Sequence, residues 1–148
     1  MTGFAKGMII TGIVLVILLV AGVAAGVYWI SQQSGPLLAR GKEAMEEGRR
    51  FGASTDNHCC VAATLASYKK EPGFTKAITS QLFLSGCLPT SRATTGFCAD
   101  VPGPTEITNT VKWQLDQCSR AGLTGDSYCG QLFGPVQKFC ELQRQGSK

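Results

Sequence analysis

From Met8 to Ile30 the chain runs for 23 residues without a charged side chain (MIITGIVLVILLVAGVAAGVYWI). At a rise of ~1.5 Å per residue such a helix spans roughly 35 Å, enough for a hydrocarbon core of about 30 Å with some tilt. It is apolar on every side, and a soluble domain this small has no need of such a helix. Tyr28 and Trp29 stand at its C-terminal edge, where amphipathic rings favour the headgroup layer. The competing expectation is a cleavable signal peptide, with Lys6 in its n-region and cleavage after Val23-Ala24-Ala25. The apolar run continues through Val27-Tyr28-Trp29-Ile30, which favours a retained anchor. Gly22 and Gly26 form a GxxxG inside the span, a spacing that lets two helix backbones approach closely, and they mark a candidate helix-dimer face.

Beyond the anchor the pattern changes to helical amphipathicity. Ser34-Gly35-Pro36 is expected to end the membrane helix, and Pro36 suits the first turn of a new one. Leu37, Leu38, Ala44, Met45 and Phe51 then recur at helical spacing, with Glu46 and Arg50 placed for an i,i+4 pair. Gly41, Gly48 and Gly52 weaken this helix by up to ~1 kcal/mol each relative to Ala, so it reads as a marginal stalk that needs the rest of the domain. Ser54-Thr55-Asp56-Asn57 is a cluster of N-cap formers ahead of a second helix at 58–70, whose stripe is Val61, Leu65 and Tyr68. Glu71-Pro72-Gly73 ends it. Phe74 opens a third helix with Ile78, Leu82 and Cys87 in line, and Leu88-Pro89 ends that one. Residues 88–104 have loop composition, with Cys98 in the middle. Thr105 is placed to cap a fourth helix with the stripe Ile107, Val111, Leu115 and Cys118. After the turn Gly122-Leu123-Thr124-Gly125, Asp126 caps a fifth helix with Cys129, Leu132, Phe133, Val136, Phe139 and Cys140 on one side. Pro135 should kink it. No segment alternates with a period of two, so no strand is expected.

The last two helices suggest a register. Cys118 opposite Cys129, Leu115 opposite Leu132, Val111 opposite Val136 and Ile107 opposite Cys140 all fit one antiparallel hairpin. That register puts Cys118 and Cys129 within bridging distance at its closed end. Leu65 with Leu82 and Cys60 with Cys87 fit a second hairpin, with Tyr68 and Ile78 one position off. Of the remaining cysteines, Cys98 is paired with Cys140, where the long loop meets the open end of the last hairpin. Cys59 is left over as a free or intermolecular thiol. Each bridge contributes ~2–4 kcal/mol on a model-dependent entropic account. The layout resembles in outline the small proteins built on paired CX9C segments. However, the intervals Cys87–Cys98, Cys118–Cys129 and Cys129–Cys140 each hold ten residues, and the anchor is foreign to that pattern, so nothing is carried over.

Composition sets the compartment more than the chemistry. The chain has 148 residues and seven cysteines, all after residue 58, a density typical of an oxidising compartment. The C-terminal domain is therefore expected outside the cytoplasm, with a bacterial periplasm favoured and the N-terminus cytoplasmic. The positive-inside rule is nearly silent, because Lys6 and the α-amino group face Arg40 and Lys42, the latter partly countered by Glu43. A formal charge of +4 with scattered basic residues excludes nucleic acid as the expected partner.

Asn57-His58-Cys59-Cys60 is the one constellation that suggests chemistry. A thiol in the first turn of a helix meets the positive end of the macrodipole, and a neighbouring His adds to that field. Such a thiolate would suit disulfide exchange. Adjacent helix positions point ~100° apart, however, so His58 need not touch Cys59, and Cys60 is assigned to a structural bridge. The chain has no CxxC motif and no zinc-type ligand spacing. His58 is the only histidine, so any Ser/His/Asp arrangement depends on it alone. Asp100, Glu106 and Asp116 read as solvated or capping carboxylates. Trp113 lies about 200° from Val111 around the helix. It is therefore expected off the hairpin seam, either against the first hairpin or as an exposed contact.

The expected fold is all-α: a transmembrane helix followed by a small disulfide-stapled bundle of two helical hairpins plus a stalk helix. Its parts are an N-tail at 1–7, an anchor at 8–30, a juxtamembrane stalk at 31–53 and a Cys-rich helical domain at 54–145. The expected role is a non-enzymatic interaction or accessory subunit, without metal or cofactor. Its expected partners are the lipid bilayer and a protein or a second copy of the chain. A thiol–disulfide redox protein using Cys59 near His58 is the alternative.

Overall fold

The computed structural model describes the backbone of residues 2–146 and the side chains of residues 12–30, 35 and 38–146. Lys6 and Pro36 lie outside the described side chains. Among the described residues the fold is all-helical, with no strand and a single isolated bridge between Asp56 and Arg92. The chain divides into two compact units, Met1–Ala39 and Arg40–Lys148.

Helix α1 (Thr2–Gly52) supplies the first unit and the opening turns of the second. The expected break at Ser34-Gly35-Pro36 does not occur, because the backbone stays helical through it. A proline within a helix removes one hydrogen bond, and here the helix continues through Pro36 into the strong helix formers Leu38, Ala39 and Arg40. In the first unit, Gly12–Ile30 is a 19-residue stretch of mean hydropathy 2.7 whose side chains are all exposed. It is long and apolar enough to cross a membrane, a property that signal sequences share.

The second unit comprises the end of α1 with α2 (Asn57–Lys70), α3 (Phe74–Thr90), α4 (Ile107–Arg120), α5 (Cys129–Leu132) and α6 (Gly134–Gly146). The glycines that weaken α1 in isolation are the reason it can dock. A Cβ on Gly48 would collide with the Phe83 carbonyl, and one on Gly86 of α3 with the Met45 carbonyl. The two backbones therefore touch at reciprocal glycines. Thr90 Oγ1 donates to the Arg49 carbonyl across the crossing (3.1 Å), and the rings of Phe51 and Phe83 sit 5.8 Å apart beside it.

The core lies where α2, α3, α5 and α6 converge, on Tyr68, Leu84, Leu88, Leu132, Phe133 and Val136 together with buried half-cystines. Three cysteine pairs stand at disulfide distance. Cys60–Cys87 joins α2 to α3, Cys98–Cys140 joins the long loop to α6, and Cys118–Cys129 joins α4 to α5, with Cα separations of 5.9, 5.4 and 6.0 Å. Tyr68 spans the core and donates its hydroxyl to Asp126 Oδ1 (2.8 Å). Burial, and then the carboxylate, push its phenol above the ordinary range. The stability this confers is complete below about pH 10 and is lost as pH rises through the folded value.

Several local expectations are corrected. The buried positions of α2 are Asn57, Cys60, Thr64 and Tyr68, while Val61 and Leu65 are only partly covered. In α3, Ile78 is exposed, Leu84 and Leu88 carry the core contact, and the helix runs past Pro89 to Thr90. Glu106, not Thr105, occupies the N-cap position of α4. Asp126 does bond the Tyr128 and Cys129 amides, but the expected kinked fifth helix is two helices. The chain turns at Phe133, which places Pro135 in the first turn of α6, where its missing N–H costs little.

The register proposed for the last hairpin holds at Cys118 and Cys129 and fails beyond them. Ile107, Val111 and Leu115 are 76%, 52% and 62% exposed. The seam toward α6 is polar instead: Gln137 donates to Thr110 Oγ1 (2.9 Å) and accepts from Gln114 Nε2 (3.3 Å). Trp113 is partly buried and stands edge-on to Phe133, with ring centres 5.6 Å apart.

Because Gly48 lies at a backbone contact, Gly48→Ala is expected to destabilise the domain by about 1–3 kcal/mol through overpacking. Helix propensity alone would stabilise it by up to ~1 kcal/mol. Chemical denaturation of the two proteins gives the sign of the change, and a gain in stability would contradict the glycine crossing.

Candidate functional site

The N-terminus of α2 begins at Asp56, whose side chain accepts a hydrogen bond from the Cys59 amide (2.9 Å). Asp56 is held below the usual carboxylate range, first by that backbone hydrogen bond and then, against burial, by the Cys59 thiol, the His58 amide and the His58 charge. A depressed value in the folded state contributes stability above the ordinary carboxylate range. That contribution is lost as pH falls through the folded value.

The four residues of the candidate motif do different jobs. Asn57 is buried, at 1% exposed, and is structural. Its Nδ2 donates to Ser91 Oγ (2.8 Å), and its Oδ1 accepts from the Thr94 amide (2.9 Å). Together with the backbone bonds Asn57 N–Arg92 O (3.2 Å) and Arg92 N–Thr55 O (2.9 Å), it pins the start of the long loop onto α2. His58 is exposed and meets Phe97 edge-on at 5.2 Å, and Phe97 in turn meets Phe139 at 6.1 Å. Cys59 is exposed and is not disulfide-bonded. Cys60 is fully buried and faces Cys87. A thiolate at Cys59 would therefore share the positive end of the helix with a carboxylate that already occupies it.

The remaining candidates are dispersed. Cys98 is tied to α6 through Cys140, and Arg144 Nη2 reinforces that junction by donating to the Val101 carbonyl. Asp100 and Asp116 are exposed, and Glu106 accepts from the Gly103 amide (2.9 Å) as a turn carboxylate. Gly22 and Gly26 meet open space within the chain. Among the described residues, no group of three or more His, Cys, Asp or Glu is placed to hold a metal ion.

The feature that sequence reasoning turned the wrong way round is the apolar face of α4. Ile107, Val111 and Leu115 repeat every four residues and point to solvent. Ile107 and Val111 form one wall of a groove of about 330 Å³, with Pro102, Pro104 and the Gln137–Glu141 side of α6 opposite. The signal was present in the amphipathic periodicity, which reports that a helix has two faces and not which one is covered. No protein-family model, curated protein or solved structure matches the chain.

Replacing Asn57 by Ala removes the acceptor of the Thr94 amide, while the Ser91 hydroxyl keeps its bond to the Leu88 carbonyl, and is expected to cost about 1–3 kcal/mol. His58→Ala, at an exposed edge contact, is expected to cost under ~1 kcal/mol. Thermal unfolding of both variants checks the order, and a larger loss at His58 would contradict this division of roles.

Proposed function

We propose that the protein is a membrane-anchored, non-enzymatic interaction or accessory subunit whose helical domain docks a protein partner through the outward face of α4. In this reading the apolar N-terminal helix is a retained anchor, the N-tail is cytoplasmic and the domain is extracytoplasmic, a bacterial periplasm being the favoured setting. The three cysteine pairs at disulfide distance support an oxidising compartment.

The observation that carries the reading is the exposed stripe Ile107, Val111 and Leu115. Three large aliphatic side chains in line on one helix exceed the scattered apolar exposure normal for a surface. Covering them contributes on the order of 5 kcal/mol before the cost of association. A micromolar complex between free proteins needs about 8 kcal/mol. The stripe therefore suits a partner held in the same bilayer, where tethering raises the effective concentration.

The redox alternative, with Cys59 activated by His58, draws less from the geometry. The imidazole is engaged with Phe97, and the carboxylate of Asp56 stands at the same helix end as the thiol.

A photo-crosslinking residue placed at Val111 of the full chain in its native membrane is expected to give a protein adduct of defined mass. The same residue at the exposed Lys69 should not, and Leu115→Asp should abolish the adduct without lowering the melting temperature. An adduct with a second copy would identify the partner as the chain itself. Adducts with lipid only, or none at all, would overturn the reading.

A further inference from the structure

We propose that the turn between α2 and α3 is a second membrane contact, a basic and aromatic edge that rests on anionic phospholipid headgroups. This inference rests on the reading of the apolar N-terminal helix as a retained anchor, and adds to it a lipid-selective contact made by the helical domain itself.

Which residues share this end of the domain follows from its internal contacts. A Cβ on Gly41 of α1 would meet the Leu82 side chain, one on Gly48 the Phe83 carbonyl and one on Gly52 the Cys87 carbonyl, so α1 and α3 advance in the same direction. Helix α2 runs back against them, because Asn57 at its start bonds Ser91 and Thr94 just past the end of α3. Arg40, Lys70 and Phe74 therefore gather at one end, where Arg40 lines a cleft with Pro72, Phe74 and Lys76. Asp56, Arg92 and Thr94 stand at the other. Arg40 is also where the chain enters the domain. It follows Ile30 by ten positions, so the covalent chain holds it within roughly 35 Å of the end of the apolar run at any orientation of the domain.

Charge and exposure at this end select lipid. Arg40, Lys69 and Lys70 are exposed and Lys76 is half-buried. None of the four is in a salt bridge among the described residues, and Glu71 is the one carboxylate of the turn. Lys42 and Glu43, on the adjoining turn of α1, offset each other. Among these cations Phe74 is 59% exposed and Ile78, one helical turn on, is 41% exposed. The Phe74 ring leans on Tyr128, with centres 5.9 Å apart, which steadies it without covering it. Unpaired cations around an exposed aromatic ring match an anionic interface, where phosphates attract the cations and the ring enters the headgroup layer. The anchor makes the contact intramolecular, so individually weak attractions suffice.

The test places the full chain in nanodiscs of phosphatidylcholine, with or without phosphatidylglycerol, doped with a gadolinium-chelating lipid, and reads relaxation enhancement at backbone amides. With phosphatidylglycerol, enhancement at Lys70 and Thr75 is expected to exceed that at Thr94 and Gly96. It should fall to the phosphatidylcholine level in about 0.5 M sodium chloride, which screens exposed charges. The double variant Lys69→Glu and Lys70→Glu, at exposed sites where folding is not at stake, is expected to lower the Thr75 enhancement about threefold and leave the melting temperature unchanged. Equal enhancement at Thr75 in the two lipids, or no response to charge reversal, would overturn the proposal. Enhancement at Trp29 reports the anchor separately. Its absence overturns the anchor reading and this inference with it, whereas its presence without a lipid-dependent signal at Thr75 overturns this inference alone.

Discussion

Five of the thirteen buried apolar side chains in the described part of the molecule are half-cystines: Cys60, Cys87, Cys118, Cys129 and Cys140. The atoms that close covalent loops are thus also the atoms that fill the core. A helical domain of this size has few large side chains to bury, and small cores are marginal without crosslinks. Closing loops with separations of 27, 42 and 11 residues removes denatured-state entropy worth about 3 kcal/mol per bridge on the chain-entropy account. The placement matters as much as the sum. One bridge locks α2 to α3, another locks the long loop to α6, and the third holds α4 to α5 at a single end.

That last arrangement explains why α4 faces outward. Anchored at Cys118, the helix reaches the rest of the domain through Trp113 against Phe133 and through the Thr110–Gln137–Gln114 hydrogen bonds. A polar seam is stable there because each amide finds a partner, so the apolar side is released to the surface. The crossing of α1 with α3 follows a related logic. Backbone contact at Gly48 and Gly86 replaces the side-chain interdigitation that larger residues would provide, and it brings α1 close enough to wall off a cavity against α2 and α3.

The parts of this architecture legible in the sequence are those with local causes. Asp56 stood within a run of cap-forming residues, and its carboxylate does cap α2. The apolar run through Ile30 needs no tertiary context to be recognised. What escaped depended on which neighbour a face meets. The stripe Ile107, Val111 and Leu115 has the periodicity of a core face, and only the satisfied glutamines opposite reveal that it is not one. Gly48 and Gly52 repeat the GxxxG spacing of Gly22 and Gly26. In isolation they read as helix-weakening residues, because their value lies in the α3 backbone at Phe83 and Cys87, far along the chain.

Peptide mapping by mass spectrometry of the full chain, isolated from the cells that make it under non-reducing conditions with free thiols blocked, tests the central claim most directly. Crosslinked peptides joining Cys60 to Cys87, Cys98 to Cys140 and Cys118 to Cys129, with the alkylating label on Cys59 alone, are the expected result. Label on all seven cysteines, or a bridge that engages Cys59 within the chain, would contradict a core built from these three pairs.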